Sequence, residues 1–451
     1  MQIHILRPLF AWEALEDSPS LKTIRAFLRL LPDGRLLEGL RHWRGRGRDD
    51  YPVSVLWGVV VLTPLLRHTS FEACLAELRR NEGLRRLLGI DSEAQVPKKW
   101  NISRFVEVLG HEPHRSEVRR IFDTLVSALG KAAPSLGQHT AGDATHLHGR
   151  PKEEAAAQAE AAQGLPQASG GRKEYTDDQG QVTRVLEWFG YKLHLLVDVQ
   201  HEVALAYQIT SAHDADNGQV PALLEQAQAN LPPQRIATLA YDKAADDEKV
   251  HELLDQAKIK PLIQNRSLWK DEHERRPPGQ RVPLNVVHDE AGTLHCYDQV
   301  SQPPVRHPMA YIGHEPQRQT LKYRCPARHE GWSCPADERC NRGQRYGLAV
   351  RVRRDLDLRR FPPIPRATKQ FERLYKGRTA AERVNARMKI FWGIDDGNIT
   401  GSRRFHAFVG VVMVVHAGLA TLLASAPRWE GRMGRMNLGP IAQQLQAAAT
   451  G

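Results

Sequence analysis

The spacing of apolar residues along this chain changes twice, and each change marks a different kind of structure. From the start to about residue 130 the apolar positions recur at helical intervals among many arginines. Pro52 to about Leu66 reads as a helix, with Pro52 suited to its first turn. Thr69-Ser-Phe-Glu72 has capping-box spacing and opens the helical stretch FEACLAELRRNEGLRRLLGI, and Asn101-Ile-Ser-Arg104 starts another. RHWRGRGRDD, at 41–50, is a basic loop broken by glycine. A basic helical bundle of this kind suits a recognition helix in a major groove or a dimer contact, and the pattern leaves both open.

From about residue 136, strands alternate with helices. Gln138 to Leu147 is a weak strand; Val185 to Val199 is a strong one that turns at Gln200-His201 into Val203 to Thr210. A helix near Val220 to Ala229, a strand from Arg235 to Tyr241, a helix from Glu248 to Lys258 and a strand from Lys260 to Gln264 follow. This order predicts a mixed α/β sheet whose first three strands form an antiparallel meander. Two stretches break the pattern. Residues 151–183 are polar, rich in Ala, Gln and Gly, without periodicity, and expected to be flexible. Residues 267–346 are rich in Pro, His, Arg and Cys; a strand at Leu348 to Val352 and a helix resume the pattern.

That last helix carries the densest chemistry. At about 100° per residue, Tyr375, Arg378, Glu382 and Lys389 fall near 0°, −60°, −20° and −40°. Ala380, Ala381, Val384, Met388 and Phe391 fall between roughly 140° and 240°. One face therefore packs on a core while the other presents a carboxylate, two cations and a phenol. Read alone, the stripe is also compatible with an ordinary solvated salt-bridge face.

Composition narrows the partners. With 451 residues, 41% hydrophobic and 25% charged, the chain is an ordinary globular protein with room for two or three domains. A net charge of +11 favours a polyanionic partner, nucleic acid first. The opening MQIHILRPLFAWEALED lacks the features of a signal peptide. FHAFVGVVMVVHAGLATLLASA, at 405–426, is long enough to span a membrane, but its histidines and glycines point to a buried core helix and no membrane partner. Five cysteines, an odd number, fit a reducing cytoplasm.

Two further carboxylates sit at strand positions. Asp143 lies near the end of the first strand in Ala141-Gly-Asp-Ala-Thr145, and Asp242 ends IATLAYD. Asp242 has local competitors in Asp246 and Asp247, either of which suits the cap of the next helix. If adjacent strands bring Asp143 and Asp242 together and a helix adds Glu382, the three can hold two divalent cations roughly 3.5–4 Å apart. Mg²⁺ suits such an all-oxygen site, with Mn²⁺ able to substitute.

Tyr375-x2-Arg378-x3-Glu382-x6-Lys389 matches the YREK signature of bacterial insertion-sequence DDE transposases, the insertion-sequence four/five superfamily. FGYKLHLLVDV (189–199) and Ile209-Thr-Ser-Ala-His-Asp214 resemble that family's second and third strands, and the segment ending in VPKKWNISRF (96–105) resembles its helical N-terminal domain. The resemblance implies an RNase H-like mixed-sheet core at 136–266 and 347–427. It also implies an all-helical, basic N-terminal domain at 1–130 for DNA binding or dimerisation, an insertion at 267–346 between the second Asp and the Glu, and a tail at 428–451. Asp143, Asp242 and Glu382 are then the metal-holding catalytic carboxylates, and Tyr375, Arg378 and Lys389 grip phosphates of double-stranded DNA. The implied enzyme cuts element ends and joins them to target DNA, acting as a homodimer in the bacterial cytoplasm on nucleoid DNA. Two departures stand out: GQHTAG before Asp143 is less apolar than a buried strand, and Asp242 is followed by Lys243-Ala-Ala where the family commonly has Lys-Gly-Tyr.

Cys296, Cys325, Cys334 and Cys340 offer four thiolates for structural zinc, with His329 as an alternative ligand. Their spacing is wider than the usual paired motif, so unliganded reduced thiols stay open as the alternative. The resemblance places Trp332, Arg342, Arg345 and Tyr346 against transposon-end DNA. His139, His146 and His148 have no acidic partner nearby in sequence and are expected to face solvent or phosphate. Two rival functions remain: a metal-dependent nuclease of the same fold, and a non-catalytic DNA-binding protein derived from a transposase.

Overall fold

The computed structural model describes residues 19–46, 50–150, 152, 154–177, 181–271, 273–278, 282–396, 399–425 and 432–434. Seven helices come first: α1 (Pro19–Leu30), α2 (Gly34–Arg44), α3 (Val53–Leu65), α4 (Phe71–Arg80), α5 (Glu82–Leu87), α6 (Lys99–Leu109) and α7 (His114–Ala132). Helix α3 is apolar all round and buried on every side, as such a helix must be. Pro52 is its cap rather than its first residue. Ser70, not Thr69, caps α4, accepting a hydrogen bond from the Ala73 amide at 3.1 Å. The predicted capping box therefore starts one residue late, and Glu72 pairs with Lys99 instead.

The sheet is built from β1 (His139–His148), β2 (Ser169–Thr176), β3 (Val182–Asp198), β4 (Ala204–Ser211), β5 (Thr238–Tyr241) and β6 (Lys260–Ile263). Its order is β2-β3-β1-β5-β6, with β4 also on β3. The 17 residues of β3 explain this branching. Its exposed first part pairs with β2, its buried second part with β4, and β1 lies along its other edge. The meander β1–β3–β4 is antiparallel, while β5 and β6 run parallel to β1. Between the strands lie α8 (Glu154–Ala161), α9 (Val220–Asn230) and α10 (Glu248–Gln256). Residues 151–183, expected to lack order, thus carry α8 and β2. The local pattern hid them because Glu160, fully buried, is satisfied from afar by Lys152 Nζ at 2.7 Å and the Ser402 amide at 2.8 Å.

The segment after β6 forms two small sheets, β7 (Val286–His288), β8 (Leu294–Tyr297) and β9 (Arg306–Pro308), then β10 (Ala310–Glu315), β11 (Thr320–Arg324) and β12 (Ala349–Arg353). Short helices α11 (Pro326–Glu330) and α12 (Asp337–Asn341) separate β11 from β12. This unit has its own apolar cluster, including Val286, Leu294, Leu321, Tyr323, Val352 and Phe361. The chain then returns to the main body as α13 (Lys369–Tyr375), α14 (Thr379–Trp392) and α15 (Ser402–Ala424). Helix α15 is long and apolar enough to cross a membrane, yet it is mostly buried against α1, α3, α6 and α7. One continuous core joins it, the N-terminal helices and the sheet.

Candidate active site

Register decides the position of the first two carboxylates. Strands β1 and β5 pair in parallel with Ala141 opposite Ala240. Two residues further come Asp143, still within β1, and Asp242, the first residue past β5. Asp143 is therefore inside β1, not at its end: the strand runs on to His148, paired with β3 alone. On the opposite face, Gly142 makes room for a ring. A Cβ there would stand 2.1 Å from Tyr241, so only glycine lets the buried Tyr241 lie against the strand.

Helix α14 lies across β1 and β3 and brings the third carboxylate. Ala380, Ala381, Val384 and Met388 are fully buried, as the wheel predicts. The helix is not continuous from Tyr375, however. A 3₁₀ turn at Lys376–Arg378 separates α13 from α14, with Gly377 packed against Val199. Tyr375 stacks on Phe371 (5.5 Å, 12°), and Arg378 Nη2 lies 2.7 Å from Glu382 Oε1.

The electrostatics tie these groups together. Burial raises the Asp143 carboxyl to about 6, against the lowering pull of Lys173, a bond from the Ala144 amide and Arg378; Glu382 adds to the rise. Asp143 accepts a hydrogen bond from Asn385 Nδ2 at 3.1 Å and has no ion-pair partner among the described residues. Burial works against the Arg378 charge, but Glu382, Tyr375 and Asp143 hold its pKa above the ordinary value. The Tyr375 hydroxyl is raised by burial first, with Asp242 and Glu382 contributing. Asp242 Oδ1 accepts from the Ala244 amide at 2.8 Å.

Asp242 is thus separate from its neighbours. Asp247 caps α10 through the Lys249 amide at 3.0 Å. Asp246 is a buried hub, bonded to His251 (3.0 Å), Arg359 (2.6 Å), Arg366 (3.0 Å) and the Arg266 amide (2.7 Å). It anchors the chain just ahead of α13 to the end of β6, since Arg366 Nε also donates to the Ile263 carbonyl.

Lys389, the fourth member of the stripe, bonds Asp395 at 3.0 Å, and burial lowers its pKa. Asp395 also takes both the amide and Nδ1 of His148, at 2.7 and 2.9 Å, and stands 3.7 Å from His146. No acidic partner lies near these histidines in sequence, as expected; the one that meets His146 and His148, Asp395, comes from just past the end of α14. His146, His148 and Asp395 are close enough to share one ion. His139 instead meets Thr238 Oγ1 at 2.9 Å. Sequence reading missed Asn385, Lys173 and Asp395. Asn385 left a faint signal, a polar residue three positions after Glu382 on an otherwise apolar flank.

The four cysteines Cys296, Cys325, Cys334 and Cys340 line one small cavity in the insertion. His329 is exposed and does not join them. Tyr346, Arg342 and Arg345 are exposed, whereas Trp332 stacks on His307 at 4.8 Å.

Comparison with known proteins names the class and the family: an enzyme of nucleic-acid phosphoryl transfer. Residues 134–417 match the model of the transposase DDE domain, and residues 13–108 match a second transposase domain (DUF772). The chain belongs to the DDE transposases of insertion sequences, whose members act on DNA and use divalent metal ions. Among solved structures, a piggyBac transposase synaptic complex with hairpin DNA is similar at 10% identity, covering 96% of this chain and 82% of that chain. Its TM-score of 0.34 is too low to bear on the fold. No curated protein matches the sequence.

Proposed function

We propose that this protein is an insertion-sequence transposase that cuts DNA at the element's ends and joins the freed ends to target DNA, using Asp143, Asp242 and Glu382. The observation that supports the reading is the parallel register of β1 and β5, in which Asp143 and Asp242 each follow the paired Ala141 and Ala240 by two positions, with the helix bearing Glu382 packed on β1. The strand order supports an RNase H-like core: an antiparallel meander β4-β3-β1 extended by parallel β5 and β6.

The carboxylates fit divalent cations, Mg²⁺ first. All offer hard oxygen donors, and Asp143 bears a desolvation cost that no ion pair among the described residues offsets. When bound, such ions supply Lewis-acid stabilisation to the attacking and leaving oxygens of an in-line displacement. The protein's own part is positional. In this reading β1 supplies Asp143, the turn after β5 supplies Asp242, and α14 supplies Glu382. Asn385 fixes the Asp143 carboxylate by its amide. Arg378, already oriented by Glu382, offers a planar fork to non-bridging phosphate oxygens, with Tyr375 beside it. Lys389 reaches DNA as a point charge once it exchanges Asp395 for phosphate. Because two ends must be joined, the working form is a homodimer on DNA.

The test is cleavage of DNA carrying the element's ends with Mg²⁺, comparing wild type with Asp242→Asn. Loss of nicking in the variant is expected; equal cleavage would remove Asp242 from the mechanism. Joined products in the wild-type reaction separate a transposase from a nuclease, and no nicking at any metal concentration would leave only a DNA-binding protein.

A further inference from the structure

In the insertion, cysteines from three separate stretches line one small cavity. Cys296 lies on β8, Cys325 immediately precedes α11, Cys334 precedes α12 and Cys340 lies within it. All four are free thiols around one cavity of about 20 Å³, enough for a single ion or water and little else. Donors are aimed at the sulfurs. Asn341 Nδ2 points to Cys325 Sγ at 3.4 Å, and Asn285 Nδ2 to Cys340 Sγ at 3.8 Å. The Asn341 amide cannot be turned the other way, because its Oδ1 accepts from the Leu348 amide at 2.6 Å. The Ala336 amide serves Cys334 similarly. N–H groups directed at sulfur stabilise thiolate over thiol, as the surroundings of metal-bound cysteines do.

A cation inside the cavity would pair with all four sulfurs at once. The location also matters. Cys296 belongs to the β7–β8–β9 sheet, whereas Cys325 continues β11 of the other sheet. Their shared apolar cluster is small, nine buried residues, and small units of this kind commonly need a covalent or metal staple.

We propose that Cys296, Cys325, Cys334 and Cys340 form a structural zinc site that ties the two small sheets of the insertion together. Four sulfur donors favour zinc over magnesium, and a full set of protein ligands leaves no open position for catalysis. His307 lies on the cavity wall but is engaged with Trp332 and, at 3.6 Å, with Asp298.

The test uses the full chain, produced in zinc-supplemented cells and purified without chelator, with metal measured by mass spectrometry. About one zinc per chain is expected, retained through dialysis against Mg²⁺ and released by a thiol-specific mercurial. Replacement by Co²⁺ should give the sulfur-to-cobalt charge-transfer and ligand-field bands of a tetrahedral thiolate site. Cys334→Ser should lose most of the metal, while Cys74→Ser, in the main core outside the insertion, should keep it. Metal-free protein whose four insertion thiols all react freely under native conditions overturns the proposal, as does mapping of a disulfide among them. These readouts need neither DNA nor cleavage, so they stand or fall apart from the transposase reading.

Discussion

Asp143, inside β1, and Asp246, shortly after β5, are both acidic residues, and they have opposite surroundings. Asp246 is fully buried, yet two guanidiniums, an imidazole and a backbone amide surround it, and together they lower its pKa despite burial. Asp143 is half-buried, with a neutral amide as its side-chain partner, and desolvation raises it to about 6. A saturated carboxylate holds a fold together; an uncompensated one has something left to bind. Residues 242 to 247 compress the lesson, since Asp242 bonds the Ala244 amide, Asp246 locks the frame and Asp247 caps a helix.

Substitutions can break this contrast in order of effect. Asp143→Asn, Asp242→Asn or Glu382→Gln should each cut DNA cleavage about a thousandfold or more, a loss of several kcal/mol of transition-state stabilisation. A gel assay of end cleavage would show it. Asp246→Ala should leave the carboxylates of the site in place chemically but destabilise the chain by about 3–5 kcal/mol, because Arg359 and Arg366 lose their buried partner. Denaturant titration reads this. The Asp246 contribution is present above the unfolded carboxyl pKa and is lost as pH falls through the lowered folded value.

Asp143→Asn should act in the other direction on stability. Its folded pKa of about 6 lies above the ordinary 3.8, so ionisation costs the folded state stability as pH rises through that interval. Without divalent ions at neutral pH the Asn variant should therefore be more stable, on the order of 1–3 kcal/mol, the range discounted for solvent screening. The gain should vanish below about pH 4. Added Mg²⁺ should reverse the ranking, raising the melting temperature of wild type and not of the variant; at a hundredfold excess over Kd the effect is about 2.7 kcal/mol. An Asn variant less stable than wild type at neutral pH without ions would count against the uncompensated carboxylate. The smallest effect belongs to Asp247→Ala, about 1 kcal/mol for a lost cap, with cleavage unchanged.

Much of the main sheet was legible because β3, β4, β5 and β6 carry dense apolar runs bounded by turns. The helix with Glu382 was legible too, since its buried face is a period of 3.6 and its motif a fixed spacing. Strand β2 and helix α8 were not, because polar residues there are satisfied by distant partners such as Ser402. The break at Lys376–Arg378 also escaped notice, as 3₁₀ and α conformations share residue preferences.

By itself, then, the sequence determined the order of elements, the stripe from Tyr375 to Lys389 and the family to which the chain belongs. Tertiary structure alone decided that Asp246 and Asp247 are engaged elsewhere, that β1 and β5 pair in parallel just before Asp143 and Asp242, that Asp395 joins His148 to Lys389, and that four scattered cysteines share a cavity. The reason is physical. Periodicity reports which face of an element is buried and is a property of neighbours in the chain. A carboxylate's pKa and a thiol's partners are set by charge and desolvation from residues that stand far off in the chain, from Asn341 near Cys325 to Asn385 against Asp143.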